Sequence, residues 1–168
     1  MTDRLKRASL ILALALPIAA LGIMVARGEV ITRSGRAYRI SIEGYDPRDL
    51  VRGHYLRYRL DFRWEEPRER CTVAECAYCL RGEAGSEPLV VRVGRDDTAG
   101  CDASFPETQL DRLQQFFIPE DRGPVLERAL RSRDAKLLVK VSRGGSVVIQ
   151  DLLLDGRPWR EVVQELPP

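Results

Sequence analysis

Hydrophobic residues form one unbroken run near the start of the chain and short alternating patterns after it. The run covers residues 8–26, a stretch of 19 residues that contains no charged side chain. A helix of that length rises about 28 Å, which is enough to span the hydrocarbon core of a bilayer. We therefore predict a transmembrane signal-anchor helix over residues 8–26, after a short basic N-terminus of residues 1–7.

A cleaved signal peptide is the alternative interpretation of this run. Ala20-Leu21-Gly22 could satisfy a small-x-small cleavage site. The run continues to Ala26, however, which is longer than the usual core of a signal peptide and favours an anchor that is not cleaved. Basic residues flank the run on both sides, so their count does not decide the orientation. The signal-like layout predicts that the N-terminus stays inside and that the following domain lies outside.

The hydrophobic period changes to two after a connector of residues 27–35. Tyr38, Ile40 and Ile42 alternate with polar residues, as in a half-buried strand. A turn region around Pro47 separates this strand from a second alternating one, so the two are expected to pair in antiparallel fashion. In all, we predict strands over residues 36–43, 53–62, 77–81, 89–93, 137–141 and 146–154.

One amphipathic helix is predicted in the second half of the chain. Val125, Leu126, Ala129 and Leu130 share one face after Pro124, which suits a first helical turn. Residues 106–115 form either a short helix or the approach to a strand. The expected fold class is therefore α+β: a transmembrane helix, then a single domain over residues 36–168 that consists of one mainly antiparallel β sheet with one or two short helices.

The second predicted strand carries a recognisable signature. An Asp-Pro-Arg-Asp-Leu run leads into Gly-His-Tyr-Leu-Arg-Tyr-Arg-Leu, and the chain here resembles the bacterial GDYxxLxY family of small membrane-anchored proteins. Three positions depart from the family pattern: His54 replaces Asp, Tyr58 replaces Leu, and Leu60 replaces Tyr. The positions of the motif are Asp46, Pro47, Arg48, Asp49, Leu50, Gly53, His54, Tyr55, Tyr58 and Leu60.

The resemblance continues through residues 116–123 and 152–158, so it covers most of the chain after the apolar run. It implies an exported domain tethered to the inner membrane by a single span, with the C-terminal part in the periplasm. Genes of such proteins often lie beside those of multi-pass membrane proteins of unknown function. The resemblance supplies no biochemical activity and no cofactor.

Composition supports one ordinary domain and argues against nucleic-acid binding. The chain has 168 residues, of which 27 are Lys or Arg and 25 are Asp or Glu, and the net charge is +2. Nucleic-acid-binding domains usually show a basic stripe, whereas the arginines here alternate with acidic residues. The length leaves room for a single core. The apolar run makes the lipid bilayer one expected partner, and the family resemblance implies a multi-pass membrane protein as another.

The four cysteines allow two kinds of chemistry. Cys71, Cys76 and Cys79 have the C-x4-C-x2-C spacing, and Cys101 follows downstream. On an oxidising side of the membrane, an even number of cysteines favours disulfides, and four cysteines allow three pairings. The alternative is a metal or redox protein in which the same four thiolates bind zinc or an iron–sulfur cluster.

Catalytic patterns are harder to find. His54 is the single histidine, and neither a Gly-x-Ser-x-Gly nor a His-Glu-x-x-His motif accompanies it. A Ser–Lys hydrolase is a remote alternative, for which Lys136 and Lys140 are the only lysines after the apolar run. The sequence therefore favours a non-catalytic accessory or interaction domain that needs no cofactor.

The second strand also suggests a contact surface. Alternation directs Tyr55, Arg57 and Arg59 to the face opposite Tyr58 and Leu60. An aromatic ring beside guanidinium groups is a combination that protein interfaces favour. We therefore regard Tyr55, Arg57 and Arg59 as candidate interface residues.

Overall fold

The first element of the computed structural model is one long helix. The structure describes residues 3–46, 55–66, 71–119 and 122–166. Helix α1 spans Asp3–Ser34, 32 residues without interruption, and contains Pro17. It includes the predicted membrane span and continues through most of residues 27–35, where we expected only a connector. The apolar helix therefore reaches the β domain without a break.

The larger of two sheets contains the predicted first pair of strands. Its strands are β1 (Arg36–Asp46), β2 (Tyr55–Asp61), β7 (Gln115–Phe117), β8 (Ala135–Val141), β9 (Val147–Leu154) and β10 (Arg157–Pro158). They lie in the order β10-β9-β8-β1-β2-β7, and every neighbouring pair is antiparallel. Ile42 of β1 lies opposite Leu60 of β2. The predicted antiparallel pairing of these two strands is confirmed.

A smaller sheet forms from the cysteine-containing part of the chain. Its strands are β3 (Arg63–Trp64), β4 (Cys76–Arg81), β5 (Leu89–Gly94) and β6 (Ala103–Pro106), in the order β3-β5-β4-β6. Strand β3 is parallel to β5, and the other pairs are antiparallel. The sequence predicted one sheet. Two form because the chain leaves the large sheet at Phe62 and enters the small one at Arg63.

Short helices complete the fold. A 3-10 turn over Glu107–Gln109 leads into α2 (Leu110–Leu113) and then β7, so residues 106–115 contain both a short helix and the approach to a strand. Helix α3 (Gly123–Ser132) has Pro124 in its first turn, as predicted. Helix α4 (Trp159–Glu165) follows β10 and packs against β9 and α3.

The core lies on one face of the large sheet and is covered by the small sheet and by α3 and α4. In β8, Ala135, Leu137, Val139 and Val141 are buried, and the lysines between them lie on the other face. Burial of each large apolar side chain contributes about 1.5–3 kcal/mol. The largest fully buried side chains are Tyr38, Phe105, Leu80, Leu113, Leu126, Leu137, Leu152, Leu154, Val90, Val139 and Val141.

The loop between β4 and β5 covers an open edge of the large sheet. Strand β2 pairs with β1 only from Ser41 onward, so the first part of β1 has a free edge. Gly85 N donates to the Ala37 carbonyl at 2.7 Å, and Arg39 N donates to the Ser86 carbonyl at 2.9 Å. Glu87 of the same loop forms an ion pair with Lys136. These contacts fasten the two sheets together and protect the edge from pairing with another chain.

Helix α1 is fixed to the outer face of the large sheet at its C-terminal end. Ile31 and Thr32 are half-buried there, and the helix packs against β8 and β9. The Lys140 ammonium donates to the Thr32 carbonyl, which satisfies a carbonyl at the negative end of the helix dipole. A Cβ on Gly35 would lie 2.6 Å from the Ile31 carbonyl oxygen, so only glycine fits this close turn. The helix and the domain are therefore joined without a loose linker.

Candidate functional site

A polar recess lies where α1 joins the β domain, and we call it the junction recess. Its volume is about 360 Å³. Strand β1 starts here, and because Arg36 lies opposite Val141, the turn after β8 also reaches this end of the sheet. The polar residues that line the recess are Ser34, Arg36, Thr98, Asp102, Ser104, Ser142 and Arg143.

Arg36 and Asp102 form the central ion pair of the recess. Arg36 Nη1 donates to Asp102 Oδ1 at 2.9 Å, and Gly82 N donates to Asp102 Oδ2 at 3.0 Å. The Gly82 amide and the Arg36 guanidinium lower the pKa of Asp102 below its ordinary value, because both stabilise the carboxylate. The bond to Asp102 in turn raises the pKa of Arg36. Both charges are retained across the physiological pH range.

The recess has more hydrogen-bond donors than acceptors. A guanidinium carries five N–H donors, and the contact with Asp102 uses one nitrogen of Arg36. Arg143 is exposed and has no ion-pair partner among the residues that the structure describes. Both oxygens of the single carboxylate in the lining already accept hydrogen bonds. The chemistry of this recess is therefore suited to an acceptor of hydrogen bonds.

The four cysteines form two pairs at disulfide distance. Cys71 and Cys76 have their Cα atoms 5.6 Å apart, and Cys79 and Cys101 have theirs 5.3 Å apart. Both values are typical of disulfides. The Cys79–Cys101 pair lies on the outer face of the small sheet, where Cys101 packs against a small apolar cluster with Cys79. Of the three pairings that the sequence left open, the structure therefore selects Cys71–Cys76 together with Cys79–Cys101.

A metal site at these cysteines would require them to be reduced thiolates rather than disulfides. The thiolate is the form that binds a metal, and a disulfide has none. In the part of the chain that the structure describes, no three His, Cys, Asp or Glu side chains converge to hold an ion. The sulfurs are divided between two separate pairs rather than gathered around one point.

Both candidate lysines of the hydrolase alternative have structural partners. Lys136 forms ion pairs with Glu87 and with Asp134, and these partners raise its pKa. A catalytic lysine base must be neutral, so this shift has the opposite direction from the one required. The Lys140 ammonium is bound to the Thr32 carbonyl at the end of α1.

Comparison with protein families gives one match. Residues 17–152 match the GDYXXLXY protein family, and this segment covers most of the chain. The chain belongs to the GDYXXLXY family. Searches of curated proteins and of solved structures each gave no significant match. The match begins inside α1, so the characteristic unit of the GDYXXLXY family includes part of the apolar helix together with the β domain.

The two exchanged positions of the GDYXXLXY signature lie on the core side of β2. Tyr58 is 3% exposed and belongs to the main core, and Leu60 is half-buried against it. An exchange of Leu and Tyr between neighbouring buried positions keeps the total volume similar and is accommodated by local repacking. The remaining motif residues Pro47, Arg48, Asp49, Leu50, Gly53 and His54 lie outside the described residues, and Asp46 and Tyr55 are described by their backbone only.

The candidate interface residues lie on a strand between β1 and β7. Arg59 is exposed and lies opposite Glu43, while Tyr55 and Arg57 are opposite Phe117 and Gln115 in the register. Phe117 is 75% exposed, which is unusual for a phenylalanine. The sequence analysis did not single out Phe117. The Phe-Phe-Ile run around it gave a signal for a strand, but its exposed side became evident only from the pairing with β2.

Proposed function

We propose that this protein is a non-catalytic accessory domain that is held at the outer face of the inner membrane and contacts a multi-pass membrane protein. The observation that carries the proposal is the unbroken helix α1, which is apolar over its membrane-length part and fixed to the large sheet at its end. A rigid anchor holds a domain at one height and in one orientation. Such an arrangement suits repeated contact with one partner in the same membrane.

The anchor itself is supported by the exposure of its apolar side chains. The segment Ser9–Ser34 is long and apolar enough to cross a membrane, and the rest of the chain buries none of its most apolar 18 residues. Leu10, Leu16 and Ile18 are each at least 65% exposed. Transfer of such side chains from water to lipid contributes about 1.5–3 kcal/mol each. These side chains therefore favour a single membrane span, and the length of the apolar run favours an anchor that is not cleaved.

The side of the membrane is inferred from the cysteines. Disulfides persist in oxidising compartments and are rare in the cytosol. The two cysteine pairs thus favour a domain outside the cytosol, and for an inner-membrane protein this compartment is the periplasm.

The resolved pKa shifts identify no acid or base among the described residues whose pKa is moved toward neutrality. Catalytic acids and bases usually have pKa values that are shifted toward neutrality. Among the described residues with a resolved shift, the basic groups have raised values and the carboxylates have lowered values. Burial also raises the pKa of Tyr78 to about 12. Every one of these shifts stabilises the ordinary protonation state of its group.

The membrane helix offers a face for a partner helix. Ala15, Ala19, Gly22 and Ala26 fall within about 60° of arc at 100° per residue, and within residues 8–26 no larger residue shares that sector. A Cβ placed on Gly22 would meet no atom of this chain within 4 Å. Glycine inside a helix costs about 1 kcal/mol relative to alanine, and small residues let a second helix approach closely.

Co-purification tests the proposal. The tagged full-length protein is extracted in mild detergent, and the proteins recovered with it are quantified by mass spectrometry. We expect one multi-pass protein to be enriched, and we expect Ala19→Leu with Gly22→Leu to reduce its recovery at least about tenfold, since a bulky side chain blocks close helix contact. Ala20→Leu lies on the opposite side of the helix and serves as the matched control.

The outcome can also contradict the proposal. If no multi-pass protein were enriched with the wild type, the accessory role would be contradicted. Equal recovery of a partner with wild type, with the double variant and with the control would show that the helix is only an anchor and that the partner does not bind through it. A C-terminal alkaline phosphatase fusion tests the orientation separately, because this enzyme is active only outside the cytosol. An inactive fusion that is nevertheless expressed would overturn the periplasmic placement.

A further inference from the structure

We propose that the junction recess binds the phosphate group of an anionic phospholipid from the membrane that holds the anchor. The inference rests on the anchored arrangement proposed above and adds a ligand to it. Three observations carry it: the height of the recess above the apolar run, the donors that line it, and its size.

The recess lies close to the headgroup layer. The apolar run ends at Ala26, and the eight residues from there to Ser34 rise about 12 Å in a helix. The headgroup layer of a bilayer is roughly 5–8 Å thick on each side, and the usual tilt of a membrane helix brings the recess closer to it. Ser34 therefore lies about 4–7 Å beyond this layer, a distance over which an arginine side chain can extend toward lipid phosphates.

The lining residues match a phosphate rather than a cation. Arginine binds phosphate oxygens with two parallel N–H donors, and Asp102 holds the Arg36 guanidinium in one orientation. Two arginines and one aspartate leave one net positive charge in the lining. The hydroxyl groups of Thr98 and Ser104 are half-buried in the same recess and add further donors.

The same lining favours anionic over zwitterionic lipids. A zwitterionic headgroup carries an ammonium that needs an acceptor of its own, and the single carboxylate of the recess is already bonded to Arg36 and to the Gly82 amide. The volume of about 360 Å³ lies within the usual range for small-molecule sites and accommodates a phosphate with a glycerol-sized group.

Native mass spectrometry of the full-length protein in detergent tests this inference. Phosphatidylglycerol is titrated into the wild type and into Arg143→Gln, Arg36→Gln and the control Arg95→Gln. Arg95 is also exposed, but it follows β5 at the end of the small sheet away from the recess. We expect Arg143→Gln to weaken phosphatidylglycerol binding about tenfold, and we expect Arg95→Gln to bind as the wild type does.

Each other outcome has a clear meaning. Arg143 is exposed and has no part in the ion pair with Asp102, so its substitution tests binding even if Arg36→Gln fails to fold. Equal binding of phosphatidylglycerol by all variants, or equal binding of phosphatidylcholine by the wild type, would overturn the inference. Displacement of the lipid by millimolar inorganic phosphate would also overturn it, because it would identify a soluble phosphate as the ligand. Carbonate extraction of membranes measures insertion of the anchor independently, so a failure of lipid binding is distinguishable from a failure of the anchored arrangement.

Discussion

The two disulfides should contribute unequally to stability, and we predict that Cys79–Cys101 contributes more than Cys71–Cys76. A cross-link lowers the entropy of the unfolded chain by an amount that grows with the length of the closed loop. The sequence separations are 22 and 5 residues. The loop-entropy relation then gives about 3.4 kcal/mol for Cys79–Cys101 and about 2 kcal/mol for Cys71–Cys76.

Packing acts in the same direction. Cys79 is 1% exposed, and Cys101 packs against a cluster that includes Val91 and Val93. Replacement of both by alanine removes sulfur atoms from this cluster and exposes part of it. The Cys71–Cys76 pair is buried to a similar degree, since Cys76 is 0% exposed and Cys71 is half-buried, but neither cysteine belongs to this apolar cluster. The measured difference between the two pairs should therefore exceed the entropic difference of about 1.3 kcal/mol.

Denaturant unfolding of the full-length protein in detergent measures this difference. Trp64 reports on the small sheet, because it contacts the Tyr78 ring beside the disulfides. The variants are Cys79→Ala with Cys101→Ala and Cys71→Ala with Cys76→Ala. Alkylation before and after reduction confirms by mass that each variant keeps its other disulfide. Equal losses, or a larger loss for the Cys71–Cys76 variant, would refute the reasoning from loop length and packing.

Two further predictions concern single side chains. The buried hydroxyl of Tyr58 has no hydrogen-bond partner among the described residues, so Tyr58→Phe should stabilise the protein by about 1 kcal/mol. Burial also raises the pKa of Tyr58, which means that the folded protein loses stability as the pH rises above about 10. Tyr58→Phe should reduce this loss. Unfolding at pH 7 and pH 10.5 measures both effects, and a destabilised variant would contradict them. Lys136 lowers the pKa of Glu87, so this carboxylate stabilises the fold at neutral pH and loses its effect as the pH falls below about 4.5. Glu87→Gln should therefore cost less than about 1 kcal/mol at pH 7 and a smaller amount at pH 3.5. Glu83→Gln on the same loop is the matched control and should unfold as the wild type does at pH 7.

Local patterns predicted the elements of this fold well because burial leaves a periodic signal in the sequence. The alternation in β2 placed Tyr58 and Phe62 on the buried face, and both are less than 9% exposed. The spacing of Val125, Leu126 and Ala129 located α3 in the same way. Helix α4 carries a similar signal at Trp159, Val162 and Val163, but its short length and terminal position hid it.

Long-range arrangement left no such signal. The alternation of apolar and polar residues shows which side of a strand is buried, but it does not identify the neighbouring strand. The sequence therefore predicted one sheet, whereas the structure has two. The cysteine pairing depends on the path of β4 and β6 past each other, and their spacing alone allowed three solutions. The junction recess combines Arg36, Asp102 and Arg143 from three distant segments. These residues meet only because β1 pairs with β8 and the small sheet packs against the start of β1.

Besides the membrane helix, the two contacts proposed for the β domain, the lipid recess and the candidate interface on β2, lie toward opposite ends of the large sheet. Strand β1 starts at the recess and ends at Asp46, and ten steps of about 3.3 Å along a strand amount to roughly 33 Å. The exposed face with Arg59 and Phe117 lies toward the far end, where the strand ends that flank residues 47–54 also lie. Substitutions at sites this far apart and without shared partners should act independently. We therefore expect Arg59→Glu with Phe117→Ser to reduce recovery of the membrane partner and to leave phosphatidylglycerol binding unchanged, and we expect Arg143→Gln to do the reverse. If each substitution impaired both activities, the lipid and the protein partner would have to act through one shared surface, and the division of the domain into a lipid end and a protein end would be wrong.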